Sequence, residues 1–342
     1  MSPLLAGGMR NFFQNAGTPD FAIDFGTANT RIVTAGGGVQ FDEPSICCFT
    51  GQSDRPELVA AGTQAIRMQD RTAGDLRIVR PLNRGVLCDI AAARDFLIYA
   101  VRSTVGQRRL RSFRALIGVP ADATNAERGA LVTAANDAGI GSVELLSEPL
   151  AAAWGAGIDI GEARGRMIVE CGAGTTEAAV LSLNGICASA SVRGGGDALD
   201  AAIADFMHYN RKFLISQRMA EHIKRHIASP CPISENDAKT VTVKGRNLVT
   251  GLPEALLLPV EDLFPVIEKH TVGITEMVAN LLGQLSPELS QDVHSNGIAL
   301  TGGSAAIGFV RSALANATGL EVVVASNPSH CVAAGLQKAL LH

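Results

Sequence analysis

The chain reads as short apolar runs broken by glycine-rich turns and by longer stretches with helical spacing. Residues 21–23, 31–34 and 39–41 are short β-prone runs turned by Gly36-Gly37-Gly38, which predicts an opening antiparallel meander. Residues 48–82 are more polar and irregular, with a short helix at 64–68, and read as a small inserted subdomain. A strongly apolar helix is predicted over 91–104, a strand over 114–119 ending at Pro120, and an amphipathic helix over 124–138 stopped by Gly139. A strand over 143–146 and an alanine-rich helix over 149–155 follow. The meander then returns at 167–170, 178–183 and 185–192. A β-β-β-α-β-α plan used twice predicts an α/β protein of two related lobes.

Two of the turns carry more than topology. Asp24-Phe25-Gly26-Thr27-Ala28-Asn29-Thr30 and Glu170-Cys171-Gly172-Ala173-Gly174-Thr175-Thr176 each follow a buried apolar run and supply an acid, small residues and hydroxyls at a tight turn. Glycine lets backbone N–H groups approach phosphate oxygens and adopt φ > 0 without a Cβ clash. Thr27, Thr175 and Thr176 add hydroxyl donors, and a carboxylate at a strand end can hold the waters around Mg²⁺. Neither segment fits G-x-x-x-x-G-K-[ST], or G-x-G-x-x-G between a strand and a helix. One such hairpin alone is ordinarily a plain turn. The duplicated pair predicts the two halves of a phosphate clamp closing on a nucleotide.

Composition narrows the setting. The 342 residues are 47% hydrophobic and 18% charged, enough for a large core split over two domains. A net charge of −4 argues against general nucleic-acid binding. Seven scattered cysteines without C-x-x-C spacing read as reduced thiols of a cytosolic protein. His222 and His226 lack the third ligand of a metal site and read as a solvated or helix-capping pair. No apolar run is long enough to span a bilayer, and residues 1–19 do not read as a signal peptide. On a helix, Leu5, Met9, Phe12 and Phe13 would share one face, as an interfacial anchor would; Gly7 and Gly8 favour a frayed tail instead.

Taken in order, these segments resemble the actin-like ATPases, and within them the MreB family of bacterial cell-shape actins. The resemblance runs from about Asp20 to Leu340. It includes both glycine hairpins, Asp42-Glu43-Pro44-Ser45, Arg80-Pro81-Leu82 with Gly85-Val86, Leu116-Ile117-Gly118-Val119-Pro120 and Ser147-Glu148-Pro149-Leu150. Gly196-Asp197-Ala198-Leu199-Asp200, Ala220-Glu221-His222-Ile223-Lys224 and Leu300-Thr301-Gly302-Gly303-Ser304 complete it. It implies an actin-like ATPase fold: two similar lobes, each a mixed five-stranded sheet flanked by helices, with the nucleotide cleft between them. The implied subdomains are 20–47, 83–153 and 329–342 (IA), 48–82 (IB), 154–195 and 260–328 (IIA), and 196–259 (IIB).

The resemblance also implies roles. Asp24, Gly26, Thr27, Ala28 and Asn29 would form the first phosphate loop, and Gly172, Ala173, Gly174 and Thr175 the second, around ATP. Asp24 and Glu170 would hold Mg²⁺, mostly through water. Glu148 would position the attacking water with help from Thr175. Gly196, Asp197, Glu221 and Lys224 would bracket the nucleoside, and Gly302, Gly303 and Ser304 would bring backbone against it. Read alone, Glu148 is a helix N-terminal acid and Glu221 with Lys224 a surface pair at i,i+3.

The implied function is a weak ATPase whose head-to-tail filaments lie on the anionic inner face of the cytoplasmic membrane and organise cell-wall synthesis with morphogenetic membrane proteins. Residues 106–114 would help attach it, with Leu110 and Phe113 exposed among Arg108, Arg109, Arg111 and Arg114, each arginine contributing on the order of 1 kcal/mol near an anionic leaflet. A solvated basic turn facing an acidic protein is the other reading.

Four departures from the family pattern stand out. Glu170 replaces an Asp, Ala173 a glycine, Ser304 a glycine and Trp154 a smaller residue near the hinge. Glu170 displaces the carboxylate and the Ala173 Cβ obstructs φ > 0, which predicts preserved binding with slow or altered hydrolysis. These changes also favour a non-polymerising nucleotide switch as an alternative. A chaperone ATPase would carry a peptide-binding domain after the lobes, and a sugar kinase would need a substrate base in the cleft; no Asp in a kinase-like context stands out.

Overall fold

A computed structural model describes residues 19–51, 56–72, 74–106, 113–228 and 240–341. The chain opens with β1 (Phe21–Phe25), β2 (Asn29–Thr34) and β3 (Gly38–Pro44). A small three-stranded sheet follows, made by β4 (Cys47–Thr50), β5 (Leu58–Ala61) and β6 (Leu76–Val79), with α1 (Gly62–Met68) between the last two. The hairpin of β7 (Leu82–Asn83) and β8 (Val86–Leu87) turns through Arg84 and Gly85, both at positive φ, as a two-residue turn requires. Then come α2 (Ile90–Val105), β9 (Arg114–Val119), α3 (Asn125–Asp137), β10 (Ser142–Ser147) and α4 (Glu148–Gly155). Thr124 and Glu127 close a capping box at the start of α3, so that helix begins where the sequence places it.

The second half repeats the plan with β11 (Arg166–Cys171), β12 (Thr176–Ser182), β13 (Gly185–Val192) and α5 (Gly196–Arg211). Its inserted sheet is β14 (Phe213–Leu214), β15 (Thr240–Asn247) and β16 (Pro253–Pro259), with α6 (Gln217–Ala228) after β14. The remaining elements are α7 (Phe264–Leu282), α8 (Pro287–Asn296), β17 (Ile298–Thr301), α9 (Gly308–Thr318), β18 (Val322–Val324) and α10 (Cys331–Leu340). The main sheets have the orders β10-β9-β1-β2-β3 and β18-β17-β11-β12-β13, which are the same topology. In each, three strands run parallel and the meander strands antiparallel.

Strand alternation decides which side chains meet between the lobes. Phe21, Ile23 and Phe25 enter one core with Phe41, Phe96 and Leu97, while Ala22 points to the opposite face. Likewise Met167, Val169 and Cys171 enter the second lobe's own core, and Ile168 faces the other way. Those opposite faces share a third core with Leu116, Leu146, Ala179 and Leu181, filled by Ala151, Ala152, Ala153 and Trp154 of α4 and by Ala333 and Leu336 of α10. Two helices are therefore sandwiched between two sheets. They fit because their contact is almost bare backbone: a Cβ added at Gly335 would lie 1.7 Å from the Ala151 carbonyl oxygen, and one at Gly155 1.8 Å from that of Cys331. Lys338 adds an Nζ–H bond to the Trp154 carbonyl at 2.5 Å.

That contact cannot absorb a methyl group. Gly335→Ala is expected to destabilise the protein by about 3 kcal/mol, the upper range for overpacking, or to abolish folding. Urea unfolding at fixed m-value measures it, and a loss under about 0.5 kcal/mol would mean the helices can move apart.

Candidate functional site

The strand ends that face the middle core carry acids one step beyond its apolar residues. Asp24 follows Ala22 by two on β1, Glu170 follows Ile168 by two on β11, and Glu148 follows Leu146 by two past the end of β10. Glu177 precedes Ala179 by two on β12, opposite Glu170 in the β11–β12 register. Gly118 on β9 leaves room for Glu148, whose Cγ would lie 3.4 Å from a Cβ there. The carboxyl ends of the parallel strands thus open into one cleft, where ligands of open α/β sheets bind.

The cleft has two joined parts. An inner chamber of about 90 Å³ is lined by Asp24, Gly26, Thr27, Glu148, Glu170, Gly172, Ala173, Gly174 and Thr175, with Gly85 from the β7–β8 turn. An outer cavity of about 800 Å³ is lined by Ala28, Asn29, Ala173, Gly196, Asp197, Glu221, Lys224, Gly303 and Ser304, with Arg80 and Asp200. Ala173 borders both. Gly302 lines neither. At φ 85° it lies against the Cys171 main chain, where a Cβ would come within 2.3 Å, so its role is to seat the β17 turn on β11 rather than to touch a ligand.

The glycine loops work by close approach, not by left-handed backbone. Among residues 24–30 and 170–176 none has positive φ. Gly174 abuts the first lobe directly: a Cβ there would sit 2.4 Å from Thr27 Oγ1 and 2.6 Å from Gly85 N. Gly26 would meet the Asn29 carbonyl at 2.8 Å. The expectation that Ala173 obstructs φ > 0 is therefore overturned, since the loop asks for no such φ. Thr176 is also reassigned: buried in β12, its Oγ1 donates to the Gly194 carbonyl at 2.9 Å instead of facing the cleft.

Each loop is held from behind. Ser45 Oγ donates to the Gly26 carbonyl at 2.6 Å, and the Gly85 N–H donates to Thr27 Oγ1 at 3.0 Å. The first-turn N–H groups of Gly196 and Asp197 donate to the Gly172 and Ala173 carbonyls at 3.0 and 2.9 Å. Ser304, where the family pattern has glycine, adds an Oγ–H bond to the Gly172 carbonyl at 3.1 Å. In the outer cavity Lys224 Nζ bonds Asp200 Oδ2 at 2.8 Å and the Gly196 carbonyl at 2.9 Å, while exposed Glu221 pairs with Arg225.

The inner chamber concentrates negative charge. Burial, then Glu170, Glu177 and Asp24, hold the Glu148 carboxyl well above its ordinary range; burial, then Glu177 and Asp24, do the same to Glu170. Burial pushes Asp24 up to about 6 despite Arg31 at 3.5 Å, and Glu177 up to about 7 despite the Ala121 N–H. Among the described residues, Glu170 Oε2 and Glu177 Oε1 have no hydrogen-bond partner. A buried carboxylate oxygen facing other acids fits a hydrated cation, and the all-oxygen donor set of Asp24 and Glu170 suits Mg²⁺.

Glu177, Gly85, Arg80 and Asp200 were not picked out by sequence reasoning as site residues. The signal for Glu177 was present in the alternation of Glu177-Ala178-Ala179-Val180-Leu181, which puts it on the same face as Ala179. Of the expected membrane contacts, Leu5, Met9, Phe12, Phe13 and Leu110 lie outside the described residues. Phe113 does not stand free: its ring is 5.9 Å from Phe21 and packs on the first lobe's core, while Arg114 pairs with Glu144 at 3.0 Å. No described helix is long and apolar enough to cross a membrane.

Two lobes of one topology, closing glycine loops and acids on a shared cleft, define an actin-like nucleotide-binding fold. The family model described as MreB/Mbl protein matches residues 18–342, and the chain belongs to that family. It is 40% identical over 334 residues to the cell shape-determining protein MreB of Escherichia coli K12, covering 97% of this chain and 94% of that one. It is 33% identical to Mbl of Bacillus subtilis over 316 residues, covering 92% of this chain and 94% of that one. The crystal structure of MreB5 of Spiroplasma citri bound to AMPPNP superposes with a TM-score of 0.86 at 31% identity, over 94% of this chain and 96% of that one. The MamK double helical filament shares the fold at 22% identity and a TM-score of 0.74, over 93% of this chain and 97% of that one.

The chamber's charge has a pH signature. An acid whose folded pKa is raised binds more protons folded than unfolded, so it lowers stability as pH rises from its unfolded value to its folded one. For Glu177 that window runs from 4.5 to about 7. The thermal midpoint of the nucleotide-free protein is expected to fall across this window, and Glu148→Gln to flatten the fall. A midpoint that rises with pH in both proteins would show that these acids are solvated and independent.

Proposed function

We propose that this chain is an ATP-binding, filament-forming member of the MreB/Mbl family that hydrolyses ATP slowly and works at the inner face of the cytoplasmic membrane, where it organises cell-wall synthesis and so cell shape. The observation that carries the nucleotide reading is the meeting of Gly174 with Thr27 and Gly85 above the acids of the chamber. The relatives' description as cell shape-determining proteins supports the cellular role, and AMPPNP- and ADP-bound MreB5 supports the ligand.

In this reading the two loops cradle the phosphates and the outer cavity takes the nucleoside between α6 and the Gly303–Ser304 turn. Glu148 positions the water that attacks the γ-phosphorus and accepts its proton. Thr175 orients that water or the γ-phosphate. Asp24 and Glu170 would hold Mg²⁺, which when bound neutralises charge on the phosphates and on the acids. Because Ala173 sits in unstrained backbone, Glu170 is the substitution left to slow turnover. ATP closes the lobes into the form that stacks head to tail, and hydrolysis weakens it, so turnover times the filament.

Sedimentation with ATP, ADP or no nucleotide, with and without anionic liposomes, tests this together with phosphate release. Pelleting should need ATP and increase with liposomes. Glu148→Ala should cut phosphate release by about 10² to 10⁴-fold, the usual contribution of a general base, while leaving ATP binding within about threefold. Tight ATP binding with neither pelleting nor turnover would instead establish a non-polymerising nucleotide switch.

A further inference from the structure

Where β12 and β13 reach the cleft, three of their side chains grip one segment of the first lobe. Glu177 and Ser191 stand opposite each other in the β12–β13 register, and Arg193 follows the end of β13. Glu177 Oε2 accepts from the Ala121 N–H at 3.2 Å, and Ser191 Oγ donates to Asp122 Oδ2. Arg193 Nη2 lies 3.4 Å from Glu127 Oε1 and 3.5 Å from Asp122 Oδ2, and its Nη1 donates to the Arg84 carbonyl at 3.2 Å. The gripped segment, residues 120–127, runs from the end of β9 into the first turn of α3 and lines the inner chamber through Pro120, Ala123 and Glu127. Arg84 is in the same turn as Gly85, which seats Thr27 and touches Thr175.

Two features set this contact apart from ordinary packing. Glu177 is 3% exposed, so its charge is buried at a cost that an apolar residue would avoid. Among the described residues its side-chain hydrogen bond crosses to the other lobe, while the outer rim of the cleft is spanned by an exposed amide pair, Gln69 to Gln217 at 3.3 Å. Neither Glu177 nor Arg193 lines the chamber or the outer cavity.

We propose that Glu177 and Arg193 are positioning residues for the phosphate chemistry: they clasp residues 120–127 to the second lobe and thereby set how Glu148, carried by the first lobe, meets Thr175, carried by the second. The bond from Ala121 is charge-assisted, and the Arg193 contacts, weak singly because they are partly exposed, act together on one short segment. Thr175 is the loop residue just before β12 and Glu177 is the second residue of that strand, so the grip acts beside the chamber. The link to turnover rests on the ATPase reading above; the clasp does not.

Hydrogen exchange of residues 120–127 in the AMPPNP-bound protein, with kcat and KM for phosphate release, tests it on Glu177→Ala, Glu177→Gln and Arg193→Ala. Both alanine variants should exchange this segment about tenfold faster, the scale of one charge-assisted hydrogen bond, and lose about tenfold in kcat with KM within about threefold. Glu177→Gln keeps an acceptor for the Ala121 N–H and should recover most of both losses. Unchanged exchange in the alanine variants, or faster exchange with unchanged kcat, overturns the proposal. If the wild-type chain releases no phosphate, the ATPase reading falls, and exchange at residues 120–127, 148–155 and 172–176 decides the clasp alone.

Discussion

The near-contact of two helix backbones, α4 against α10, fixes where everything else can sit. With Gly155 and Gly335 at the crossing, each helix lies against a main-chain carbonyl of the other. A pair that slim can be sandwiched between two sheets, and the sheet separation follows from it. Asp24 and Glu148 on one side and Glu170 and Glu177 on the other are then carried to the same cleft by strand alternation alone. The dense apolar contact with Leu116, Leu146, Ala179 and Leu181 makes this seam a rigid pivot, since packed interiors do not deform continuously.

That arrangement brings an electrostatic conflict with it. Four acids share a region from which water is largely excluded; burial raises the proton affinity of all four, and acidic neighbours raise Glu148 and Glu170 further. A core optimised for stability alone would place apolar residues there. Protons, or a cation brought to these acids, would relieve that conflict.

Much of this was legible in the sequence, for identifiable reasons. The doubled meander, the cap at Thr124 and the two glycine hairpins follow from local patterning, and the meander strands form where their alternation puts them, whereas the strands of both inserted sheets, β4–β6 and β14–β16, are not read from it. The cleft residues were legible because acids stand at strand ends beside glycines. What was not legible depends on distance rather than pattern. Whether a loop glycine is there for positive φ or for a close neighbour cannot be read along the chain; the structure answers it at Gly174, which is pressed against Thr27 and Gly85. The same gap made Ala173 look obstructive and Gly302 look like a ligand contact. Phe113 read as exposed because it sits among arginines, yet its ring is claimed by Phe21.

Glu177 shows the limit most clearly. Its alternation places it on the cleft side of β12, but only the fold shows that residues 120–127 lie across from it, with the Ala121 N–H donating to its carboxylate. A long-range backbone donor has no side-chain signature, so a carboxylate serving one reads in sequence as an ordinary strand-end acid. The substitutions most visible against the family pattern, Ala173 and Ser304, have mild structural effects here: one sits in unstrained backbone and the other adds a bond to Gly172. Functional differences within this fold are therefore better sought where the two lobes exchange backbone hydrogen bonds than where a glycine count departs from expectation.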